Sequence, residues 1–207
     1  MSIDIATNIS GAVLAAGESR RMGMPKAICS WKEGTFLEAV ISYLYGAGIA
    51  RIGVVLGAAA QEIRNHGLPE GIDIWMNPNY RYGQLSSLQV ALAHQTSDVK
   101  GVMVALVDHP AVTMETVSSL IEAFDGRVEL IVKPQYQGRG GHPILIGRQW
   151  WSEILDVSFN DEGIDSKVPT LRDIFHRHPE RIVNIQVNDP GIHLDIDTPE
   201  ILAKHNP

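Results

Sequence analysis

Two apolar runs in this chain lack a polar face. Gly11-Ala12-Val13-Leu14 and Val102-Met103-Val104-Ala105-Leu106-Val107 are continuous rather than alternating, and strands of that kind must be covered on both sides, as in a mostly parallel sheet with helices above and below it. Four more strand-length runs, Ile52-Gly53-Val54-Val55-Leu56, Ile72-Asp73-Ile74-Trp75, Leu130-Ile131-Val132 and Ile182-Val183-Asn184-Ile185-Gln186-Val187, are spread along the sequence with amphipathic stretches between them. Thr35-Phe36-Leu37-Glu38 has the S/T-x-x-E form of a capping box, and Phe36, Leu37, Val40, Ile41 and Leu44 follow at helical spacing, with Gly46 and Gly48 placed to end the helix. A second helix is expected from Thr113, with Val117, Leu120, Ile121 and Phe124 on one face and Gly126 past its end. Thr198-Pro199-Glu200 reads as the N-cap, first-turn proline and first-turn acid of a third. Alternating strands and helices predict an α/β protein of three α/β/α layers, and such folds bind ligands beyond the carboxyl ends of their strands. The residues that follow each strand are therefore where chemistry is expected.

Composition narrows the partners. The chain has 207 residues, read as a single domain over 1–207, and 44% of them are hydrophobic; at that length folding buries roughly 70% of the unfolded surface without staples. Net charge is −7, from 24 acids against 17 bases, with no run of five like charges, so no nucleic-acid partner is expected and phosphate binding must be local. No stretch reaches 18 consecutive apolar residues, and no membrane span is expected. The start, Met1-Ser2-Ile3-Asp4-Ile5-Ala6-Thr7-Asn8, carries an early acid and no basic region before an apolar one, unlike a signal peptide. One cysteine, Cys29, excludes an internal disulfide and fits a reducing, cytoplasmic setting.

The first strand runs into Leu14-Ala15-Ala16-Gly17-Glu18-Ser19-Arg20-Arg21-Met22-Gly23-Met24-Pro25-Lys26. Small residues, two glycines and three cations directly after a buried strand supply what a polyphosphate needs: close backbone approach, exposed N–H groups and mobile positive charge. The alternative is a surface loop with solvated cations. The segment is neither a Walker A loop, since Gly23 and Lys26 are not adjacent and no Ser/Thr follows, nor a G-x-G-x-x-G turn. Asn77-Pro78-Asn79-Tyr80-Arg81-Tyr82-Gly83-Gln84-Leu85-Ser86-Ser87-Leu88 reads as a turn-rich loop with serine N-caps before a helix to Leu92. After the fourth strand come Asp108-His109-Pro110; a carboxylate there is placed to hold Mg²⁺ beside substrate phosphates or, alternatively, to cap a turn. In His193-Leu194-Asp195-Ile196-Asp197 the alternation sets both acids on one face of a short strand, as ligands or as a solvated edge. Gln137-Gly138-Arg139-Gly140-Gly141-His142-Pro143 is a glycine-rich loop, mobile or closely approached by a ligand. His109 reads as a bystander, and His176, His178 and His193 as surface residues without a metal-ligand set.

The stretch from Leu14-Ala15-Ala16-Gly17 through Arg21-Met22-Gly23 to Lys26 resembles the LAAGxSxRMGxxK signature of the molybdenum-cofactor nucleotidyltransferases, and most closely their cytidylyltransferase branch. Asp108-x-Pro110 is similar to the family's G-D-x-P, with Val107 where glycine is usual, and Asp195-Ile196-Asp197-Thr198-Pro199-Glu200 to its D-x-D-T-P-E-D, with Ile201 in place of the last acid. The order of motifs matches from about Ile9 to Glu200. The resemblance implies the Rossmann-like nucleotide-diphosphosugar transferase fold, with a mostly parallel mixed sheet. It also implies a turn of Leu14, Ala15, Ala16 and Gly17 around a nucleoside triphosphate, and phosphates held by Arg21 and Lys26. Base or ribose contacts fall to Ser86 and Ser87, Mg²⁺ to Asp108 and Asp197, and the acceptor lies beside Gly140–His142. Arg21, Lys26 and Asp108 would carry catalysis. The implied reaction moves CMP from CTP to a phosphomonoester such as molybdopterin. Rivals are a guanylyltransferase of the same cofactor, whose branch has LAGG in place of Leu14–Gly17, a sugar- or alditol-phosphate nucleotidyltransferase, and a nucleotide-binding module without catalysis.

Overall fold

The structure, a computed structural model, describes residues 8–159 and 170–206; residues 1–7, read above for a leader, lie outside them. In chain order the elements are β1 (Ile9–Ala15), β2 (Ser30–Trp31), β3 (Gly34–Thr35), α1 (Phe36–Gly46), β4 (Arg51–Leu56), α2 (Ala60–His66), β5 (Asp73–Met76), α3 (Gln84–Ala93), β6 (Gly101–Leu106), α4 (Met114–Phe124), β7 (Ile131–Tyr136), β8 (Arg139–Gly140), β9 (Ile144–Gly147), α5 (Trp151–Leu155), α6 (Leu171–Phe175), β10 (Ile182–Gln186) and α7 (Pro199–His205). The main sheet has the order β10-β7-β9-β6-β1-β4-β5, with β8 paired to β7. β9 runs antiparallel to both β6 and β7, and the pairs β1–β4, β1–β6, β4–β5 and β7–β10 are parallel. β2 and β3 form a separate antiparallel hairpin.

Every residue of β1 is buried, which is why its sequence has no polar face. Successive side chains point to opposite layers: Val13 and Ala15 join the core that contains Phe36, Leu44 and Leu120, and Ala12 and Leu14 join the core that contains Leu88, Trp150 and Ile174. Helices α1 and α4 thus cover one face of the sheet and α3, α5 and α6 the other. Gly53 in β4 lies beneath the Trp75 indole of β5, where a Cβ would enter the ring.

The helix ends follow the side-chain chemistry. Thr35 accepts from the Glu38 amide at 3.2 Å while Glu38 accepts from the Thr35 amide at 2.7 Å, the reciprocal capping box. The helix runs through Gly46, Ala47 caps it, and Gly48 turns away with φ of 89°. Thr113 and Thr198 cap α4 and α7 as expected. The serines do not cap α3. Gly83 holds that position at φ 84°, leaving Ser86 and Ser87 in the first turn, because a glycine at positive φ lets the chain enter the helix before either serine.

Neither β8 nor β9 follows from the apolar runs. Ile144-Leu145-Ile146 is short and sits between a glycine loop and a tryptophan pair, so its pairing depends on the neighbouring strands rather than on local pattern. From β1 the chain passes by α1 to β4 on one side, and from β5 it returns by α3 to β6 on the other. The strand order reverses at β1, and a crevice opens at the carboxyl ends of β1 and β6.

Candidate active site

That crevice holds a cavity of about 380 Å³. It is lined by the Leu14–Gly17 turn, by Arg21 and Lys26, by Ser87, and by Asp108 and Asp197. The Ala16 carbonyl accepts from the Ala58 amide at 3.1 Å, fixing the turn that ends β1. Ser19, at φ 51°, folds the following loop, its carbonyl accepting from Met22 at 3.0 Å and its hydroxyl from the Lys26 amide at 3.1 Å. Gly17 has an ordinary φ, and a Cβ built on it meets nothing within 4 Å. The fold does not require glycine there; its missing side chain leaves backbone facing open cleft.

Lys26 is the hub. Its ammonium donates to Asp108 Oδ2 at 2.7 Å and to Asp197, and lies 3.7 Å from Asp195 Oδ1. Arg21 also pairs with Asp197, but its side chain is 70% exposed against 12% for Lys26. Burial alone would depress the lysine, yet the charges and hydrogen bonds of Asp108 and Asp197 outweigh it and raise its pKa. Burial works against an ionised Asp197 as well, and the contacts from Lys26, with Arg21 behind them, hold its carboxyl below the usual range. Asp195 is pushed up to about 6 by burial and by the neighbouring Asp108 charge.

Residues 194–198 form no strand, contrary to the sequence expectation. The alternation survives for another reason: the Ile196 amide donates to the Asp108 carbonyl at 3.0 Å and its side chain is fully buried, turning Asp195 and Asp197 on either side of it toward Lys26. The segment is anchored upstream by Asp189, which sequence reasoning missed. Its buried carboxylate accepts from the Thr113 amide at 2.9 Å, the Thr116 hydroxyl at 2.7 Å and the Gly191 amide at 2.8 Å, tying the approach to residues 195–197 onto the start of α4.

Ser86 stands apart from the residues the resemblance brings to the cleft. Its hydroxyl donates to the Gly83 carbonyl at 2.8 Å and accepts from Asn77 Nδ2 at 2.9 Å, and it does not line the cavity. One helical position further, Ser87 does line it, also held by Asn77 at 3.0 Å. Tyr80 and Gln84 line the cleft too. A second cavity of about 220 Å³ shares Leu14, Gly83 and Gln84 with the first and is bounded by Tyr82, His142 and Ile144.

His109, read above as a bystander, is 7% exposed, and its Nδ1 has no hydrogen-bond partner among the described residues. Burial lowers its pKa, opposed by the Asp108 charge. One ligand atom each from Asp108, His109 and Asp195 lies within 4.8 Å of the others. The signal available in the sequence was a histidine between a strand-terminal aspartate and a proline. His178 and His193 are partly covered, at Trp150 and Tyr136 respectively, and His176 is exposed.

A reversed-order α/β sheet with a glycine turn, inward cations and facing carboxylates at its switch point defines a nucleotide-binding protein of the nucleotide-diphosphosugar transferase fold. The MobA-like NTP transferase domain matches residues 11–181, and the chain belongs to that nucleotidyltransferase family. It is 26% identical over 190 residues to the molybdenum cofactor cytidylyltransferase of Escherichia coli K12, covering 91% of this chain and 90% of the relative. It is 27% identical over 200 residues to the nicotine blue oxidoreductase of Paenarthrobacter nicotinovorans, covering 93% of each. A Mycobacterium tuberculosis H37Rv protein solved in complex with manganese superposes with a TM-score of 0.77 at 27% identity, over 97% of this chain and 98% of that one.

Proposed function

We propose that this chain, acting as one domain in the cytoplasm, transfers a nucleoside monophosphate from a nucleoside triphosphate, CTP by preference, to a phosphomonoester acceptor of the molybdopterin kind, releasing pyrophosphate. The observation that carries the reading is the cluster in which Lys26 joins Asp108 and Asp197 at the foot of the Leu14–Gly17 turn. Lys26 and Arg21 face three carboxylates in this cluster, so cations for a triphosphate and carboxylates for a metal stand side by side, with one carboxylate in excess. Binding then exchanges partners: the cations turn to phosphate oxygens and the carboxylates are released to a cation.

The donor set fits a divalent metal, Mg²⁺ in this reading, through Asp108 and Asp197 with Asp195 close by. When bound it would supply neutralisation of the phosphate charge. The open backbone at Ala15, Ala16 and Gly17 admits the triphosphate, and Ser87 faces the nucleoside across the cleft. The acceptor lies in the adjoining cavity beside His142. An oxygen of its phosphate attacks the α-phosphorus as the α–β bridging P–O bond breaks; the electron pair leaves with pyrophosphate, and Lys26 and Arg21 neutralise the departing charge. A phosphate monoester is already anionic at neutral pH, so no general base is needed. Positioning and electrostatics carry the step.

The oxidoreductase name of one relative raises a second chemistry. The absence of a G-x-G-x-x-G turn and the cations facing the cleft favour transfer instead. Pyrophosphate release should be measured with Mg²⁺ across four triphosphates and a panel of phosphomonoester acceptors. Turnover dependent on an acceptor and greatest with CTP is expected; preference for GTP would move the assignment to guanylyl transfer, and no pyrophosphate with any pair would remove it.

A further inference from the structure

His109 sits beside the carboxylates and is not used by the reaction as described. It is more than nine-tenths buried, and it is one of two side chains among the described residues with a buried polar atom lacking any partner. Its ring lies near the backbone of Gly191, which favours the protonated imidazole. Nδ1 is the atom without a partner, and in the tautomer protonated at Nε2 it carries a free lone pair.

The three groups differ in their commitments. Asp197 is engaged by both Lys26 and Arg21, whereas Asp195 is the most exposed acid of the cluster, 3.7 Å from Lys26. Asp108 accepts from Lys26 at Oδ2. A ring nitrogen of His109 and one oxygen from each of two carboxylates, mutually within 4.8 Å, make a mixed nitrogen–oxygen donor set. Mg²⁺ favours all-oxygen octahedral surroundings, whereas first-row transition ions accept imidazole readily.

We propose that Asp108, His109 and Asp195 form a divalent-cation site in which His109 Nδ1 is a direct ligand, so that the protein takes a first-row transition ion in preference to Mg²⁺. The inference deepens the divalent-cation part of the proposed function and replaces Asp197 by Asp195 as the second carboxylate. Asp197 then remains the partner of the two cations. His142, whose ring centroid is 5.7 Å from that of His109, packs against the ligand from the β9 side.

The test uses MnCl₂ alone, without nucleotide, on the full chain. Calorimetry gives Mn²⁺ and Mg²⁺ affinities, and pulsed electron paramagnetic resonance of the Mn²⁺ complex reads directly bound ¹⁴N. His109→Gln is the informative variant, because it keeps a polar side chain of similar reach while removing the imidazole ligand; its melting temperature checks the fold. Wild type should show tighter Mn²⁺ than Mg²⁺ binding and ¹⁴N coupling. His109→Gln should lose the coupling and weaken Mn²⁺ by ~10-fold or more with Mg²⁺ nearly unaffected, and Asp195→Asn should weaken Mn²⁺ more than Asp197→Asn does. No Mn²⁺ binding, no ¹⁴N coupling, or coupling that survives in His109→Gln would overturn the inference. Nucleotidyl transfer with a carboxylate-only site would leave the proposed function standing without it, and ¹⁴N-coupled Mn²⁺ in a protein that releases no pyrophosphate would leave the site standing without that function.

Discussion

Lys26 is surrounded by acids before any substrate arrives, and that determines what its loss does. Lys26→Ala should lower turnover by on the order of 10²–10³, the usual effect of removing one preorganised charged contact, while leaving Asp108, Asp195 and Asp197 to repel one another. Arg21→Ala should cost less, because a side chain 70% exposed starts out solvated. Gly17→Ala separates ligand approach from folding: with nothing near its Cβ and no unusual φ, melting temperature should hold or rise slightly, while nucleotide affinity falls. Unchanged affinity in calorimetry would place the triphosphate elsewhere. His142 is held down to about 4 by burial and by His109, with Asp108 opposing and Lys133 adding to the shift. Its contribution to stability is complete above the unfolded value of about 6.5 and is lost as pH falls toward 4, by at most about 3 kcal/mol. Asp195, raised to about 6, acts in the opposite sense below that pH. The comparison is therefore between wild type and His142→Gln in denaturant midpoint at pH 7.5 and 5; the variant should lose less stability on acidification, and parallel losses would contradict the assignment. The cations and Asp108 were legible from sequence because they directly follow buried strands. Ser86 was not, since one helical position decides whether a hydroxyl faces the cleft or the Asn77 turn, and Gly83 sets that position.

At the scale of elements, the site depends on a segment without regular structure. Residues 195–197 are aimed by the Ile196 anchor and by Asp189, whose carboxylate accepts three hydrogen bonds quoted above from α4 and Gly191. Asp189→Ala leaves those donors buried without an acceptor, which should cost on the order of 1–3 kcal/mol. Calorimetric melting checks it, with turnover falling further than the folded fraction because Asp195 and Asp197 lose their aim. Activity that tracked folded protein alone would deny the segment this role. The two facing aspartates were readable from their period, but the strand that period implied was not formed, because a backbone bond to Asp108 and one buried isoleucine hold the same alternation. The long-range role of Asp189 could not be read locally, since only its bond to Gly191 is near in sequence and its partners Thr113 and Thr116 lie more than seventy positions away.

Across the whole molecule, the continuous apolar runs already implied a sheet covered on both faces, and β1, β4 and β6 fall within two residues of the runs read for them. β9 did not follow, because an antiparallel strand between β6 and β7 is set by its neighbours and not by its own short sequence. None of the helices among the described residues is long and apolar enough to cross a membrane. The architecture makes the chemistry separable from stability, since Lys26 and Asp108 both lie past strand ends rather than within the two cores. The central claim is that these residues at the β1–β6 crevice perform metal-assisted nucleotidyl transfer. Its most direct test is acceptor-dependent pyrophosphate release from CTP at saturating metal, measured beside melting temperature for wild type, Lys26→Ala, Asp108→Ala and the remote control His176→Ala. Wild type and His176→Ala should turn over alike, while Lys26→Ala and Asp108→Ala lose activity by ~10² or more with their folds intact. Near-normal turnover in Asp108→Ala, or activity lost only in step with folded protein, would contradict it.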